Sequence, residues 1–254
     1  MKLVSILFLL SSLSLLAELR VLSYNIRHGA GMDNKLDLDR TANVLIKQDA
    51  DLVALQEVDQ VCTRSNKVDQ ADFLAKKLGK FNHRFGSFMD YQGGKYGLAI
   101  LSRYPILESR VHKMPGGAEP RVALEIEVEV PQTDGSKQRI SFVCVHFDYV
   151  RDDTARFAQA QHLIKVLAQR KHPVIVTGDF NDKRGSKTLD AFVEAFTIPS
   201  SSGPTFSSAE PRVEIDFCVH RGFPEKPKTQ VIKGIQASDH LPLLTVFPKF
   251  GIAR

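Results

Sequence analysis

The chain has 254 residues, 43% of them hydrophobic, which is enough for one α/β domain with a full core and excludes a small scaffold held together by disulfides. Its three cysteines, Cys62, Cys144 and Cys218, have no CxxC spacing and imply neither a disulfide framework nor a zinc site. The formal charge of +5 suits an anionic substrate without selecting one, and the absence of Trp argues against a stacking platform for single-stranded nucleic acid.

The chain opens with Lys2 and an apolar run from Leu3 to Leu16 mixed with hydroxyl residues, followed by Ala17 and a polar stretch. This is the layout of a signal peptide, too short for a membrane span, with cleavage expected after Ala17 and export to the periplasm or the medium. Residues 18–254 are then expected to form one domain. A strand is predicted over Leu19–Ile26, a helix over Asp37–Gln48 and a strand over Asp51–Gln56. A second helix starts at Asp69, carries Phe73, Leu74 and Leu78 at helical spacing, and ends at Gly79. Tyr96–Ser102 reads as a mostly apolar strand. Arg121–Val130 alternates, with Val122, Leu124, Ile126, Val128 and Val130 on one face and Glu125, Glu127 and Glu129 on the other, the pattern of a half-buried strand. Asp134-Gly135 turns the chain into Ile140–Phe147, and a long helix covers Asp152–Gln169. Val174–Val176, Ile215–Val219, Thr229–Ile235 and Leu243–Phe247 complete the strands, and Ser200–Ala209 is expected to be a mobile surface loop. Many strands with few crossover helices predict an α/β fold, a four-layer α/β/β/α sandwich of two packed, mixed and mostly antiparallel sheets with outer helices.

Polar residues gather at the ends of these strands: Asn25, Gln56-Glu57, His146 with Asp148, Asp179 with Asn181, and Asp239-His240. Any one of them is adequately explained as a turn or cap residue. Brought together at one edge of a sandwich, Asn25, Glu57, Asp179, Asn181 and Asp239 would repel one another unless a cation sat among them, and hard oxygen donors select Mg²⁺ or Mn²⁺ over zinc. His240 beside Asp239 is placed to act as a base on water, with Asp216 from another strand holding its imidazole, and Arg121 offers a forked cation to a phosphate.

The segments Ser23-Tyr24-Asn25, Leu55-Gln56-Glu57, Gly97-Leu98-Ala99-Ile100-Leu101-Ser102, Glu119-Pro120-Arg121, His146-Phe147-Asp148, Gly178-Asp179-Phe180-Asn181 and Ser238-Asp239-His240 occur in this order. Together they resemble the motifs of the endonuclease/exonuclease/phosphatase, or DNase I-like, superfamily across nearly the whole mature chain. The resemblance implies a metal-dependent hydrolase of phosphate esters, most simply an exported bacterial-type phosphodiesterase. An extracellular endonuclease, a phospholipid or phosphoinositide head-group hydrolase and a noncatalytic binding protein are the alternatives. It further implies Asn25, Glu57 and Asp239 as ligands of Mg²⁺ or Mn²⁺, and Asp179 and Asn181 as the pair that orients or activates water. His240 is implied as general base or phosphate contact, oriented by Asp216, with His146, Asn181 and Arg121 on the phosphate. The expected partner is a phosphate-ester substrate met by a monomer with no integral membrane span. Arg27, Leu98 and Tyr149 depart from the pattern, standing where relatives carry an acidic residue, Asn and His. Arg156 and Gln159 also resemble the family pattern and are read as structural.

Overall fold

The computed structural model describes residues 17–253 apart from 80, 133, 249 and 251. The expected signal segment, residues 1–17, lies outside the described residues except that Ala17 already opens the first strand. In chain order the elements are β1 (Ala17–Asn25), α1 (Leu38–Gln48), β2 (Leu52–Gln60), α2 (Gln70–Lys77), β3 (Asn82–Tyr91), β4 (Gly94–Ser102), β5 (Ile106–Lys113), β6 (Val122–Pro131), β7 (Lys137–His146), α3 (Thr154–Leu167), β8 (Val174–Asp179), α4 (Lys187–Val193), β9 (Asp216–Arg221), β10 (Lys228–Val231), β11 (Leu243–Pro248) and β12 (Ile252–Ala253).

Among the described residues the strands form two sheets. One runs β10-β11-β1-β2-β4-β3 with β12 also on β1, and the other runs β5-β6-β7-β8-β9. Period-two alternation gives each sheet two apolar faces. Leu19, Val21, Leu98 and Ile100 from the first sheet meet Leu124, Ile126, Phe142 and Ile175 from the second in the layer between them. On the outside of the first sheet, Leu22, Val53 and Leu55 pack under Ala42 and Leu45 of α1 and Ala71 and Leu74 of α2. On the outside of the second, Val143, Val145 and Val176 pack under Ala160 and Leu163 of α3 and Leu189 and Phe192 of α4. Three apolar layers make the four-layer sandwich that the sequence predicts. The helices begin where short polar side chains satisfy free amides: Asp37 accepts from Arg40 N at 2.8 Å, and Asp69 from Asp72 N at 3.1 Å. No helix among the described residues is long and apolar enough to cross a membrane.

Several elements depart from the sequence reading. β3 and β5 are edge strands without an apolar alternation strong enough to announce them. The turn Gln92-Gly93, with positive φ at both residues, is the local signal for the β3–β4 hairpin. The glutamate face of β6 is buried over Glu125, 0% exposed, and Glu127, 3% exposed, and opens to solvent only at Glu129. Those two lie under Arg110, Arg139 and Arg170. The segment 200–209 is also no free surface loop. Thr205 is fully buried and its Oγ1 accepts from Ile215 N and Asp216 N, while Phe206 bridges to Val213 and His240.

Candidate active site

Strand register brings the polar residues together. β1 and β2 are parallel with Asn25 opposite Gln56, and β7 and β8 are parallel with His146 opposite Asp179. Each pair therefore delivers its C-terminal polar residues to the same edge of the sandwich. β9 runs antiparallel to β8 and starts there, with Asp216 opposite Asp179. His240 arrives from the stretch before β11, clamped by its bridge to Phe206.

Two local distortions aim the side chains. The register between β2 and β4 slips between Leu55 and Val58, and Glu57 sits in that bulge with φ +57°. A bulge turns a side chain out of the strand's alternation, and here it directs Glu57 onto Asn25. Near the end of β8 the chain passes through Gly178, where a Cβ would stand 2.0 Å from Val145 O. Only glycine lets β8 lie close enough to β7 at this point.

The resulting centre is organised around one carboxylate. Asp179 Oδ2 accepts from Asn25 Nδ2 at 3.2 Å and lies 3.5 Å from both His146 Nε2 and His240 Nε2. Its other oxygen accepts from Asn181 N at 2.8 Å, while the Asn181 amide donates to Phe147 O at 3.1 Å. Asn25 Nδ2 also donates to Glu57 Oε1 at 3.0 Å. His240 Nδ1 stands 2.9 Å from Asp216 Oδ2. Asp239 lies beside them, with its Oδ2 3.8 Å from Arg27 Nε. Arg121 is 4% exposed. Its Nη2 meets Glu119 at 3.1 Å, and its Nε and Nη1 are buried with no hydrogen-bond partner, as is Nδ1 of His146. Every residue that the sequence proposes for the site thus reaches this edge.

Electrostatics follow from this burial. Loss of water pushes the Asp179 carboxyl up to about 7, with Asp216 adding to the rise and His240 opposing it. Burial likewise raises Glu57, against the Asn25 hydrogen bond and His240. Burial works against a charged His240, but Asp216 and Asp179 outweigh it and hold the imidazolium up to about 10. His146 goes the other way, lowered well below the usual range first by burial and then by Arg121 and His240, so it is neutral.

Asp179, Asp216 and His240 present ligand atoms within 4.8 Å of one another, a set able to hold a metal ion. The expected ligands Asn25, Glu57 and Asp239 form the adjoining oxygen-rich side of the same centre.

Around the catalytic candidates the structure shows how supporting residues are bonded. Asp148 is fully buried and accepts from Ala118 N at 2.7 Å and Val150 N at 3.0 Å, tying the loop that leads to Arg121 to the end of β7. Gly117 permits this, since a Cβ there would stand 2.0 Å from Asp148 Oδ2. Gln159 accepts from Asp148 N and donates to Pro115 O, and Arg156 donates to Asp148 O and Val150 O. These bonds accord with a structural role for both. Phe206, with its ring 4.9 Å from that of His240, is a site neighbour that reading 200–209 as a surface loop missed.

Comparison with known proteins agrees with the fold and motif order. The family model described as "Endonuclease/Exonuclease/phosphatase family" matches residues 22–240. The chain is 31% identical over 181 residues to the uncharacterized protein YbhP of Escherichia coli (strain K12), covering 65% of this chain and 67% of that one. It is 30% identical over 184 residues to the inositol phosphosphingolipids phospholipase C of Schizosaccharomyces pombe, covering 65% of this chain and 41% of that protein. Among solved structures, the endonuclease/exonuclease/phosphatase from Beutenbergia cavernae superposes with a TM-score of 0.73 at 20% identity, over 93% of this chain and 72% of that one, a likeness of fold. With the match spanning β1 to His240, the chain belongs to the Endonuclease/Exonuclease/phosphatase family.

Proposed function

We propose that this protein is an exported, Mg²⁺- or Mn²⁺-dependent hydrolase of phosphate esters, with diesters as its main substrates, acting by in-line attack of water on phosphorus. The observation that carries the reading is the convergence of Asn25, His146 and His240, from three separate parts of the chain, on a single oxygen of Asp179. Family membership and the phospholipase C name of the S. pombe relative support phosphoester chemistry. The amino-terminal run Leu3–Leu16 is what supports export.

The residues fit a hard divalent cation. Glu57, Asp239 and the carbonyl oxygen of Asn25 would hold it, and the upward push on Glu57 reflects a buried carboxylate without enough positive charge around it. His240 is better assigned to the phosphate than to the metal, because its Nδ1 is already engaged with Asp216 at 2.9 Å. When bound, the metal neutralises charge on the phosphoryl oxygens and makes phosphorus a better electrophile.

The chain's own groups supply the rest. Asp179, with its carboxyl near neutrality and a hydrogen bond from Asn181 N fixing its orientation, is the acceptor for the proton of the attacking water. His240, kept protonated by Asp216, donates a charge-assisted hydrogen bond to a phosphoryl oxygen, and of its two expected roles this is the one its environment favours. Arg121, with two unpaired nitrogens in a buried setting, meets the charge that builds on the pentavalent phosphorus. Neutral His146 can offer its ring N–H as a hydrogen bond to the leaving oxygen, which then takes its proton from solvent.

Hydrolysis of bis(p-nitrophenyl) phosphate with and without Mg²⁺ tests this reading. Activity should vanish on chelation and in Glu57→Ala. Undiminished turnover in either case rejects the metal site. A panel of plasmid DNA, RNA, sphingomyelin, phosphoinositides and phosphomonoesters then identifies the substrate class.

A further inference from the structure

Two aromatic rings lie against the Arg121 guanidinium. The guanidinium carbon is 5.0 Å from the ring centre of Phe88 and 5.8 Å from that of Tyr149. Phe88 is buried, and it packs edge-on against Tyr96 and against His146. Tyr149 is 54% exposed, an aromatic face open to solvent directly over the buried arginine. A tyrosine left in water at an ordinary surface gains little, whereas one set beside a buried cation with unpaired donors is placed where a ligand would arrive.

The ring is also held at its base. Tyr149 follows Asp148, whose carboxylate accepts from Val150 N on one oxygen and from Ala118 N on the other. Arg156 donates to the carbonyls of Asp148 and Val150, on either side of Tyr149. The backbone that carries the exposed ring is therefore anchored to the same hub that positions the loop before Arg121. A backbone anchored in this way has little conformational freedom left to lose when a ligand stacks on the ring it carries.

We propose that Tyr149 forms a ring-stacking subsite beside the phosphate position, selecting phosphate esters whose alcohol portion carries a flat aromatic group close to phosphorus. The inference rests on the phosphoesterase reading, with Arg121 as a phosphate contact. The exposed face of Tyr149 receives the substrate ring while its other side rests over the guanidinium, a cation–aromatic–aromatic stack that positions the ester oxygen over the site.

Nonhydrolysable phosphonates separate this from the chemistry. Calorimetric titration of the Mg²⁺-loaded protein with methylphosphonate, cyclohexylphosphonate and phenylphosphonate reads the preference directly. The phenyl compound should bind about tenfold more tightly than the methyl one, the scale expected of a single stacking contact. Cyclohexylphosphonate should fall nearer the methyl compound, since bulk without a flat π face does not stack. Tyr149→Ala should reduce the phenyl-to-methyl ratio to about two or less, and Tyr149→Phe should preserve it, given that the flat face and not the hydroxyl is used. A ratio unchanged in Tyr149→Ala, or a cyclohexyl compound that binds as well as the phenyl one, overturns the stacking subsite while leaving the hydrolase reading in place. Failure of all three phosphonates to bind overturns the phosphate site beneath it, and the subsite with it. Circular dichroism of both variants confirms that a lost ratio is not lost folding.

Discussion

Glu125 and Asp179 are both fully or almost fully buried carboxylates on the same five-stranded sheet, yet their environments push them in opposite directions. Burial alone would raise Glu125, but Arg170 grips it through Nε and Nη2 at 2.7 and 2.8 Å, with His112 and Ser141 adding bonds, and the net result lies well below the usual carboxylate range. Glu127 beside it is lowered in the same way by Arg110 and Arg139 against its burial. Around Asp179 no guanidinium among the described residues makes such a bond. An amide and two imidazoles face it, and loss of water, with Asp216 adding to it, pushes the carboxyl up. Equal burial with different pairing thus separates a region that holds the sheet together from one that stores unmatched negative charge for a cation and a phosphate.

The comparison is most sharply tested by neutral isosteres at the two places. Asp179→Asn and Glu57→Gln should each lower turnover of a diester by about a thousandfold or more, the scale of losing a group acting in the transition state. Both should leave denaturant stability of the metal-free protein equal or increased, because each removes a strained charge. Glu125→Gln should do the reverse. Turnover should hold, while unfolding in urea shows a loss of about 3–5 kcal/mol from stranding Arg170 in a broken buried pair. Equal catalytic losses at Glu125 and Glu57 would dissolve the distinction.

Core packing supplies a reference of similar size. Leu55→Ala, at a fully buried position under α1 and α2, should cost about 2–5 kcal/mol in stability by the cavity it leaves.

Metal addition should act on one region alone. Mg²⁺ at a hundredfold its Kd should stabilise the wild type by about 2.7 kcal/mol in a thermal melt. Glu57→Gln should abolish the shift, and Glu125→Gln should retain it.

The smallest effects are in the pH dependence of stability, measured with chelator present. Glu125 has a depressed folded-state pKa, so its contribution is present above its unfolded value of about 4.3 and is lost as pH falls through the folded value. Glu125→Gln should flatten that acid limb. Asp179 is raised to about 7, so the folded state keeps a proton that the unfolded state has released, and stability declines as pH rises from about 4 towards 7. His240, raised to about 10, contributes stability below about 6.5 that disappears as pH climbs through 10. Asp179→Asn should remove the first of these declines and weaken the second, since Asp179 is one of the charges that raises His240.

Much of the candidate site was legible before any fold was known, because Asn25, Glu57, Asp179 and Asp239, each ordinary as a turn or cap residue, recur together at strand ends in numbers that turn chemistry alone does not require. Tyr149 was visible as a departure from the family pattern, but its position over Arg121 was not. Asp148 was noticed at a strand end, yet its bonds go to Ala118, thirty residues earlier, and no local pattern encodes such a partner.

The sequence by itself, while not announcing β3, β5 or the short α4, determined most of the strongly periodic strands and the three longest helices, the helix start at Asp69, and the supply of hard oxygen donors. These depend on neighbours within a few positions, where periodicity and side-chain chemistry act directly. Tertiary structure alone decided what covers each face and which strand ends coincide. The glutamates of β6 have the spacing of a solvent-facing row, and only Arg110, Arg139 and Arg170, arriving from β5, β7 and the turn after α3, make an interior of Glu125 and Glu127. Likewise 200–209 has a loop's composition, and only its bonds to Asp216 and His240 make it part of the site. A pattern of period two records that the two faces of a strand differ; it carries no information about what will be packed against either one.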